Sequence, residues 1–473
     1  MSQSNFLIPT LYTTPQQELL PSYHEPVTKS SYDEDATVTS CLAHLKAEDQ
    51  PKVMYSRYGV QKLLREKHIE MLYDMLEDFP KTFVTLDSSR PWMMYWAMNS
   101  LAILGEDLSH FRERCIATIS AMQNETGGFG GGHGQYSHAA PSYAAVLTIA
   151  LVGGSELYDL VDRNAFWHWA ASLKQPDGGF SMAIGGEEDI RGAYCIMTCL
   201  SLLNLPLELP KDCRARTVLG FEKFTDGLAE YISRCQTFEG GISGSPGSEA
   251  HGAYAFCGLA CLSVLGPPHI MFNRYLDMPL LIDWLSSKQL APEGGFCGRT
   301  NKLVDGCYSH WAGGCWPLIE AAIREGKQDA QDKNHLGKGL FDKQGLTRWI
   351  LNCCQETKWG LLRDKVGKPP DAYHTNYNLA GLAGMQHKAF YRRDDEEGAY
   401  EVVEGKAPYS WTSVPVERDD SDLGDDITVD DVLKLQVVWA DNDELKPIHP
   451  VFVIGYDAVK DIRGYFEGKE FTE

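Results

Sequence analysis

Basic residues are scarce in this chain. Over 473 residues, 43 Lys and Arg stand against 65 Asp and Glu, a formal charge of −22. Such a balance argues against non-specific binding to nucleic acid or to an anionic membrane surface. An anionic ligand would have to be met by a local cluster of cations. The thirteen cysteines include no Cys-x-x-Cys pair, and their odd number and wide spread exclude a small disulfide framework. Long apolar runs are also missing. The longest, from Ala139 to Gly154, is interrupted by Pro141, Ser142 and Thr148 and is too short to cross a bilayer. The first residues lack a basic segment followed by an apolar one, and the last four, Glu470 to Glu473, lack a lipidation signal. The expectation is a soluble, cytoplasmic protein with free thiols, no membrane span and no nucleic-acid partner.

What is present is helical. From Val60 to Phe79 apolar residues recur at helical spacing, and Pro80 ends the pattern. Pro91 then opens a strongly apolar stretch running through Trp92, Trp96, Leu101 and Leu104, with proline at the first helical position. Residues 1–55, rich in Pro, Ser, Thr and charge, read as a partly ordered arm. A polar insertion spans Glu325 to Gly345. From Tyr391 to Lys446 there are 17 acidic and 6 basic residues, half of the net charge, so this stretch reads as a solvated or disordered insertion.

Between these segments lies a repeat. Gln123 leads to Gly127-Gly128-Phe129, Gln175 to Gly178-Gly179-Phe180, Gln236 to Gly240-Gly241-Ile242 and Gln289 to Gly294-Gly295-Phe296. Gln355 with Trp359-Gly360-Leu361 is a worn copy. Successive first glycines lie 51, 62 and 54 residues apart, a period that indicates a repeat architecture. After each turn a second helix opens near Tyr143, Tyr194, Tyr254 or Tyr308. These helices are apolar on all faces and therefore buried, whereas the preceding ones, such as Arg163 to Lys174, are amphipathic. Alternating outer and inner helices predict an all-α chain, and closure makes an α-α barrel. Every inner helix then starts on the same rim, so residues far apart in sequence converge there.

Three groups of residues on that rim could carry chemistry. Asp305, Cys307 and His374 offer one oxygen, one sulfur and one nitrogen, which is what a catalytic zinc with an open fourth position needs. The plain alternative is a turn residue, a buried thiol and an unrelated histidine. Arg299 and Lys302, with His133, His138, Arg191, His251, Tyr373 and Tyr377 at neighbouring starts, concentrate cations and donors suited to a diphosphate. Alternatively, Arg191 and His251 cap loops or pair with Glu187 and Glu249. Trp92, Trp96, Tyr143, Tyr194, Tyr254, Trp311 and Trp316 would line an apolar lumen able to take a long hydrocarbon. Asp364 or Asp371 could hold Mg²⁺ against phosphate oxygens, although a solvated charged loop is the simpler reading.

With these residues in hand, the chain resembles the β subunits of protein farnesyltransferases, of the fungal type with its acidic C-terminal insertion. The likeness runs from about Pro91 to Leu382, with a weaker match from His449. It is carried by Arg90-Pro91-Trp92-x-x-Tyr95-Trp96, Gly127-Gly128-Phe129 with Tyr136 and His138, Asp189-x-Arg191-x-Ala193-Tyr194, His251-Gly252-x-Tyr254-x-Phe256-Cys257, Arg299-x-Asn301-Lys302-Leu303-Val304-Asp305-Gly306-Cys307-Tyr308-Ser309-x-Trp311, and Tyr373-His374-Thr375. The resemblance implies an α6-α6 barrel over 56–390, the acidic insertion over 391–446 and a C-terminal element over 447–473 packed on the barrel. It implies an obligate heterodimer with a helical-repeat α subunit. Zinc is implied on Asp305, Cys307 and His374, and Mg²⁺ on Asp364. Farnesyl diphosphate would meet His251, Arg299, Lys302 and Tyr308 with its diphosphate, and Trp311, Tyr254, Cys257, Tyr194 and Arg191 with its chain. The protein substrate, ending in a Cys-a-a-X box as small GTPases do, would pack near Trp92, Trp96 and Tyr373. Its zinc-bound thiolate would attack the first carbon of the farnesyl group. Two departures stand out: Ala253 where glycine is usual and His310 where phenylalanine is usual.

Two rivals remain at this stage. A type I geranylgeranyltransferase β subunit shares the resemblance, but bulky Trp92 with Tyr377, and Asp364, favour the fifteen-carbon donor. A non-catalytic α-α repeat scaffold with structural zinc would need a fourth protein ligand. The acidic motif of a terpene cyclase and the Gly-Cys-Gly-Glu-Gln motif of a thioester barrel do not occur.

Overall fold

The structure, a computed structural model, describes residues 28–45, 55–56, 58–77, 81–324, 340–392, 405–417, 435 and 437–472. Among the described residues, six outer and six inner helices alternate along the chain. The outer ones are Arg65–Met75, Arg112–Ser120, Arg163–Ser172, Leu228–Cys235, Met278–Ser286 and Lys343–Arg348, the last continuing as a π-helical stretch, Trp349–Cys354. The inner ones are Arg90–Leu104, Ala139–Val152, Ile190–Leu202, Gly252–Leu265, Ala372–Gln386 and a broken helix, Tyr308–Trp311 followed by Cys315–Ile323. Each inner helix packs on the next, and Ala372–Gln386 packs back on Arg90–Leu104. The ring is therefore closed, an α-α toroid as the repeat predicts.

Burial separates the two layers. Of the fourteen residues in Ala139–Val152, twelve are buried, including Ser142 and Thr148. Thr148 spends its hydroxyl on the Ala144 carbonyl at 2.8 Å, so no polar group is stranded. Arg163–Ser172 buries one face only, through Phe166, Trp167, Trp169, Ala170 and Ala171.

The repeated glutamine and glycine have distinct structural jobs. Gln236 Nε2 donates to the carbonyl of Asp277 and its Oε1 accepts from the Asp277 N–H, at 3.0 and 2.8 Å. Asp277 in turn caps the next outer helix, accepting from the Leu280 N–H at 3.1 Å. Gln289 clamps Asp342 in the same way at 2.8 and 2.9 Å, and Gln123 clamps Leu160 and Asp162. Gln355 clamps Lys62 and Leu64, just before the first outer helix, at 3.2 and 2.9 Å. The last copy thus reaches back to the first helix and closes the ring. Gly360 marks the same seam: a Cβ there would sit 2.7 Å from the Lys67 carbonyl. In the second repeat Gln175 bonds within its own turn, to the Leu173 carbonyl and the Ser181 hydroxyl, and buried Lys174 makes the joint by donating to the carbonyls of Gly178 and Phe224 at 2.7 and 2.8 Å.

The lower end of the barrel is shut by the C-terminal segment. Val451, Phe452, Val453 and Ile454 are fully buried there, and helix Tyr456–Glu467 lies outside them with Val459, Ile462 and Phe466 turned inward. Two strands, β1 (His387–Tyr391) and β2 (Trp411–Pro415), pair antiparallel with Ala389 opposite Ser413.

Some expectations need correction. The first outer helix begins at Arg65, not Val60, because the N–H groups of Gln61, Leu63 and Leu64 are taken by the side chains of Asn352, Asp443 and Gln355. Trp316 does not face the lumen; it stacks on Phe341 next to the outer layer, at 5.5 Å. Residues 325–339 of the polar insertion lie outside the described residues, and the outer helix already opens at Lys343. Of the acidic stretch, residues 393–404, 418–434 and 436 lie outside the described residues, while Trp411, Val437, Val438, Trp439 and Leu445 are buried rather than solvated. In the N-terminal arm, Lys29–Leu45 forms a helix.

Candidate active site

Inner-helix capping places the functional side chains. At four inner-helix starts an acceptor side chain caps the exposed N–H groups: His138, Asp189, His251 and Asp371. At the fifth, Asp305 Oδ1 accepts from the Cys307 N–H at 2.8 Å. These capping side chains sit on one rim because the Gly-Gly turns deliver every inner helix there.

Asp305, Cys307 and His374 converge, with one ligand atom from each lying within 4.8 Å of the others. His374 Nε2 is 3.3 Å from Asp305 Oδ1. Zinc bonds of about 2.0–2.3 Å put tetrahedral ligand atoms roughly 3.5 Å apart, so only a small contraction separates this trio from coordination. Two anionic donors and one neutral nitrogen also match a divalent charge. The trio can hold a metal ion and leave a position open. On its far side His374 Nδ1 meets Asp371 Oδ2 at 2.7 Å, which leaves Nε2 as the ligand atom. Burial opposes charge on His374, but the two carboxylates outweigh it and raise its pKa to about 9. Burial also works against Asp305, yet the hydrogen bond and charge of His374 hold its carboxyl below the usual range. Burial first, and then Asp305, push the Cys307 thiol well up.

Beside the trio, Tyr308 OH lies 3.1 Å from His251 Nε2. His251 Nδ1 accepts from the Ala253 N–H at 3.1 Å, so the ring proton is on Nε2 and is donated to the Tyr308 oxygen. Tyr308 then has its own hydroxyl hydrogen free to give elsewhere. Burial, with help from Arg299, lowers the His251 pKa to about 4 and keeps the ring neutral. Arg299 extends to Glu249 at 3.1 Å, and Lys302 is exposed on the same loop. Arg191 is held by Asp189 in a two-pronged pair and approaches Glu187 at 3.7 Å, while its guanidinium lies 6.0 Å from the Tyr254 ring. Of the pairings anticipated from sequence, Arg191 with Glu187 forms, whereas Glu249 is taken by Arg299 and His251 caps its own helix.

Aromatic rings run around the lumen in an unbroken circuit. Centroids are 5.7 Å apart for Trp92–Tyr143, 5.4 Å for Tyr143–Tyr194, 5.8 Å for Tyr194–Phe256 and 5.6 Å for Phe256–Trp311. The circuit continues through Trp311–Tyr377 at 4.5 Å, Tyr377–Tyr373 at 5.0 Å, Tyr373–Trp96 at 5.2 Å and Trp96–Trp92 at 5.5 Å. Cys257 is buried within this wall. Tyr373 joins the lumen to the metal trio: its oxygen accepts from Trp311 Nε1 at 3.1 Å, and it contacts Cys307. His310 is buried against Phe256 and Tyr377.

Asp364 stands behind the trio, its backbone carbonyl accepting from the Gly306 N–H at 2.7 Å. Its carboxylate is paired with Lys365. Asp371, the other acid considered for Mg²⁺, is committed to His374. Sequence reasoning missed that role, although Asp371-x-x-His374 has the spacing of a cap and its third residue. It also missed the buried amide pair Asn99 and Asn376, which joins the first and last inner helices.

The prenyltransferase alpha-alpha toroid domain family matches residues 63–454. The chain is 45% identical to the protein farnesyltransferase subunit beta of Pyricularia oryzae, over 98% of this chain and 85% of that one. It is 33% identical to the protein farnesyltransferase subunit beta of Schizosaccharomyces pombe, over 93% and 97%. The solved Candida albicans protein geranylgeranyltransferase-I complexed with GGPP superposes with a TM-score of 0.57 over 85% of this chain and 99% of that one, at 18% identity, a likeness of fold. The chain therefore belongs to the protein farnesyltransferase β-subunit family, protein prenyltransferases built on the α-α toroid.

Proposed function

We propose that this chain is the catalytic β subunit of a farnesyltransferase, moving farnesyl from its diphosphate to the cysteine of a C-terminal Cys-a-a-X box. The observation that carries the proposal is the convergence of three metal donors with a cationic rim at the mouth of an aromatic lumen. Asp305, Cys307 and His374 would hold zinc, and Asp364, once parted from Lys365, would hold Mg²⁺. Zinc there would supply a Lewis acid that lowers the pKa of a coordinated substrate thiol and keeps it nucleophilic. Tyr308, Arg299, Lys302 and neutral His251 would stabilise charge on the departing diphosphate. Tyr308 does so by donating outward the hydrogen that its bond from His251 leaves free. Removing one such donor typically costs about a hundredfold or more in rate. Trp311, Tyr254, Cys257, Tyr194 and Arg191 would flank the farnesyl chain and hold its first carbon toward the thiol, while Trp92, Trp96 and Tyr373 would contact the peptide.

A separate α subunit and a cytoplasmic setting belong to the same proposal. All thirteen cysteines are free thiols, and no described helix is long and apolar enough to cross a membrane. Against a structural-zinc scaffold, the metal cluster found among the described residues offers three ligands, not four. The test is Cys307→Ala in the chain purified with its α subunit. Bound zinc and turnover are expected to vanish while farnesyl diphosphate binding largely survives; full zinc occupancy in the variant would refute the ligand set. Turnover with fifteen- and twenty-carbon diphosphates separates this reading from geranylgeranyl transfer.

A further inference from the structure

One helix belongs to neither layer of the barrel. Lys29–Leu45, in the N-terminal arm, packs on the π-helical stretch Trp349–Cys354. Its buried residues, Ser31, Thr37, Cys41 and Leu45, fall along one stripe. Cys41 and Cys353 are completely buried, and their thiols share a hydrogen bond across this contact. Glu34 lies about two helical turns before Cys41, on the same stripe. Opposite that stripe stands Glu293, the residue before Gly294-Gly295, whose carboxyl interacts electrostatically with both Glu34 and Cys41.

Glu293 is badly placed for a charge. It is 2% exposed, and among the described residues its Oε2 has no hydrogen-bond partner. A buried carboxylate in that state is costly, and the helix facing it presents a like charge, Glu34, where a cation would be needed. The outer helix Lys343–Arg348 touches the same turn at Gly345, but its charges are engaged elsewhere. Arg348 donates to the Tyr58 carbonyl at 2.9 Å, Lys343 approaches Glu320 at 3.9 Å, and Asp342 caps its own helix. Burial above all, opposed by a bond from its own backbone and helped by Glu34, pushes the Glu293 carboxyl up to about 7.

We propose that helix Lys29–Leu45 is a proton-controlled strap, which lies down on the barrel when Glu293 is protonated and is released when Glu293 ionises. The proposal does not depend on the farnesyl-transfer reading. The strap spans two segments that matter to the rim. Beyond Glu293, the Phe296 carbonyl accepts from the Asp305 N–H at 3.1 Å, and beyond Cys353, the Cys354 carbonyl accepts from the Arg363 N–H at 2.9 Å, in the loop that leads to His374. Once the helix lifts, water reaches Glu293 and its carboxyl returns to about 4.3. The docked state therefore holds the proton more tightly than the released one. Docking is strongest below about pH 4.3, weakens about tenfold per unit as pH rises toward 7, and levels off above that.

The test is hydrogen exchange of the full-length chain, followed by mass spectrometry and corrected for the intrinsic pH dependence of exchange. Between about pH 5.5 and pH 7.5, protection of Lys29–Leu45 should fall by more than about tenfold, while that of the inner helix Ala139–Val152 is retained. In Glu293→Gln, which keeps the size and removes the charge, protection of the arm should stay high throughout. Protection that is independent of pH in the wild type, or a fall that persists in Glu293→Gln, overturns the proposal. Should that variant not fold, Glu34→Lys decides, because Glu34 is half-buried on the arm and the barrel is left unaltered. A cation facing Glu293 should raise protection of the arm at about pH 7.5 by about tenfold; a fall with pH equal to that of the wild type overturns the strap.

Discussion

Asp371 uses one carboxylate twice. Oδ1 caps the last inner helix through the His374 N–H at 2.7 Å, and Oδ2 holds Nδ1 of the same histidine. The two roles can be separated, because asparagine caps a helix nearly as well as aspartate but carries no charge. In Asp371→Asn the helix and fold should therefore persist while affinity for the zinc proposed on Asp305, Cys307 and His374 drops about 10- to 100-fold, the usual loss for a partner behind a metal-binding histidine. Competition with a chelator measures it; unchanged affinity would show that the acid serves only as a cap. Asp305 and Cys307 were legible as a pair because they are close in sequence. His374 became legible only through the repeat, which predicted that inner-helix starts meet. The Asp371 bond was not legible, since a solvated charged loop is the simpler reading of that stretch and Mg²⁺ the other one considered.

At the scale of the element, the Gly-Gly turns carry most of the constraint. Gly240 has φ +98°, and a Cβ there would lie 2.1 Å from the Leu280 carbonyl of the next outer helix. Gly247 has a similar φ of +82°, yet nothing lies within 4 Å of its would-be Cβ. Both substitutions by alanine incur the strain of a left-handed backbone, about 1 kcal/mol, but only Gly240→Ala also pushes two helices apart. Urea unfolding should show Gly240→Ala destabilised by several kcal/mol and Gly247→Ala by about 1 kcal/mol. Equal losses would mean that the close approach contributes nothing. The repeat marked Gly240 from sequence, but it could not separate a glycine needed for contact from one needed only for dihedral angles. The helix expected from Val60 fails for a related reason: Asn352, Asp443 and Gln355, each distant in sequence, take the N–H groups that local periodicity assigns to a helix.

For the molecule as a whole, closure depends on the C-terminal segment, and His449 pins it. Its Nε2 donates to the Pro408 carbonyl at 2.8 Å, while Nδ1 accepts from the Val451 N–H at 3.2 Å. Burial lowers the pKa to about 3, so the folded chain holds this ring neutral. An unfolded chain protonates near pH 6.5. The unfolded state therefore binds the proton first as pH falls, and the contribution of His449 is complete above pH 6.5 and shrinks steadily toward pH 3. The slope is about 1.4 kcal/mol per pH unit. Between pH 7 and pH 5 the wild type should lose about 2 kcal/mol more stability than His449→Gln, read from unfolding curves of both chains. Parallel losses would show that the ring is solvated and able to charge.

The number of repeats, the alternation of buried and half-buried helices, the proline and aspartate starts and the Asp305–Cys307 pair were all set within short stretches of chain. Each is a local matter of period, capping or dihedral freedom, so the residues themselves determine it. Ring closure through Gln355, the approach of His374 to Asp305 and the outward turn of Trp316 were decided only by the tertiary structure. The Gln355–Leu64 contact joins residues 291 positions apart, and the others also lie outside a single helix, so their strength comes from burial, which no single segment possesses before the barrel shuts.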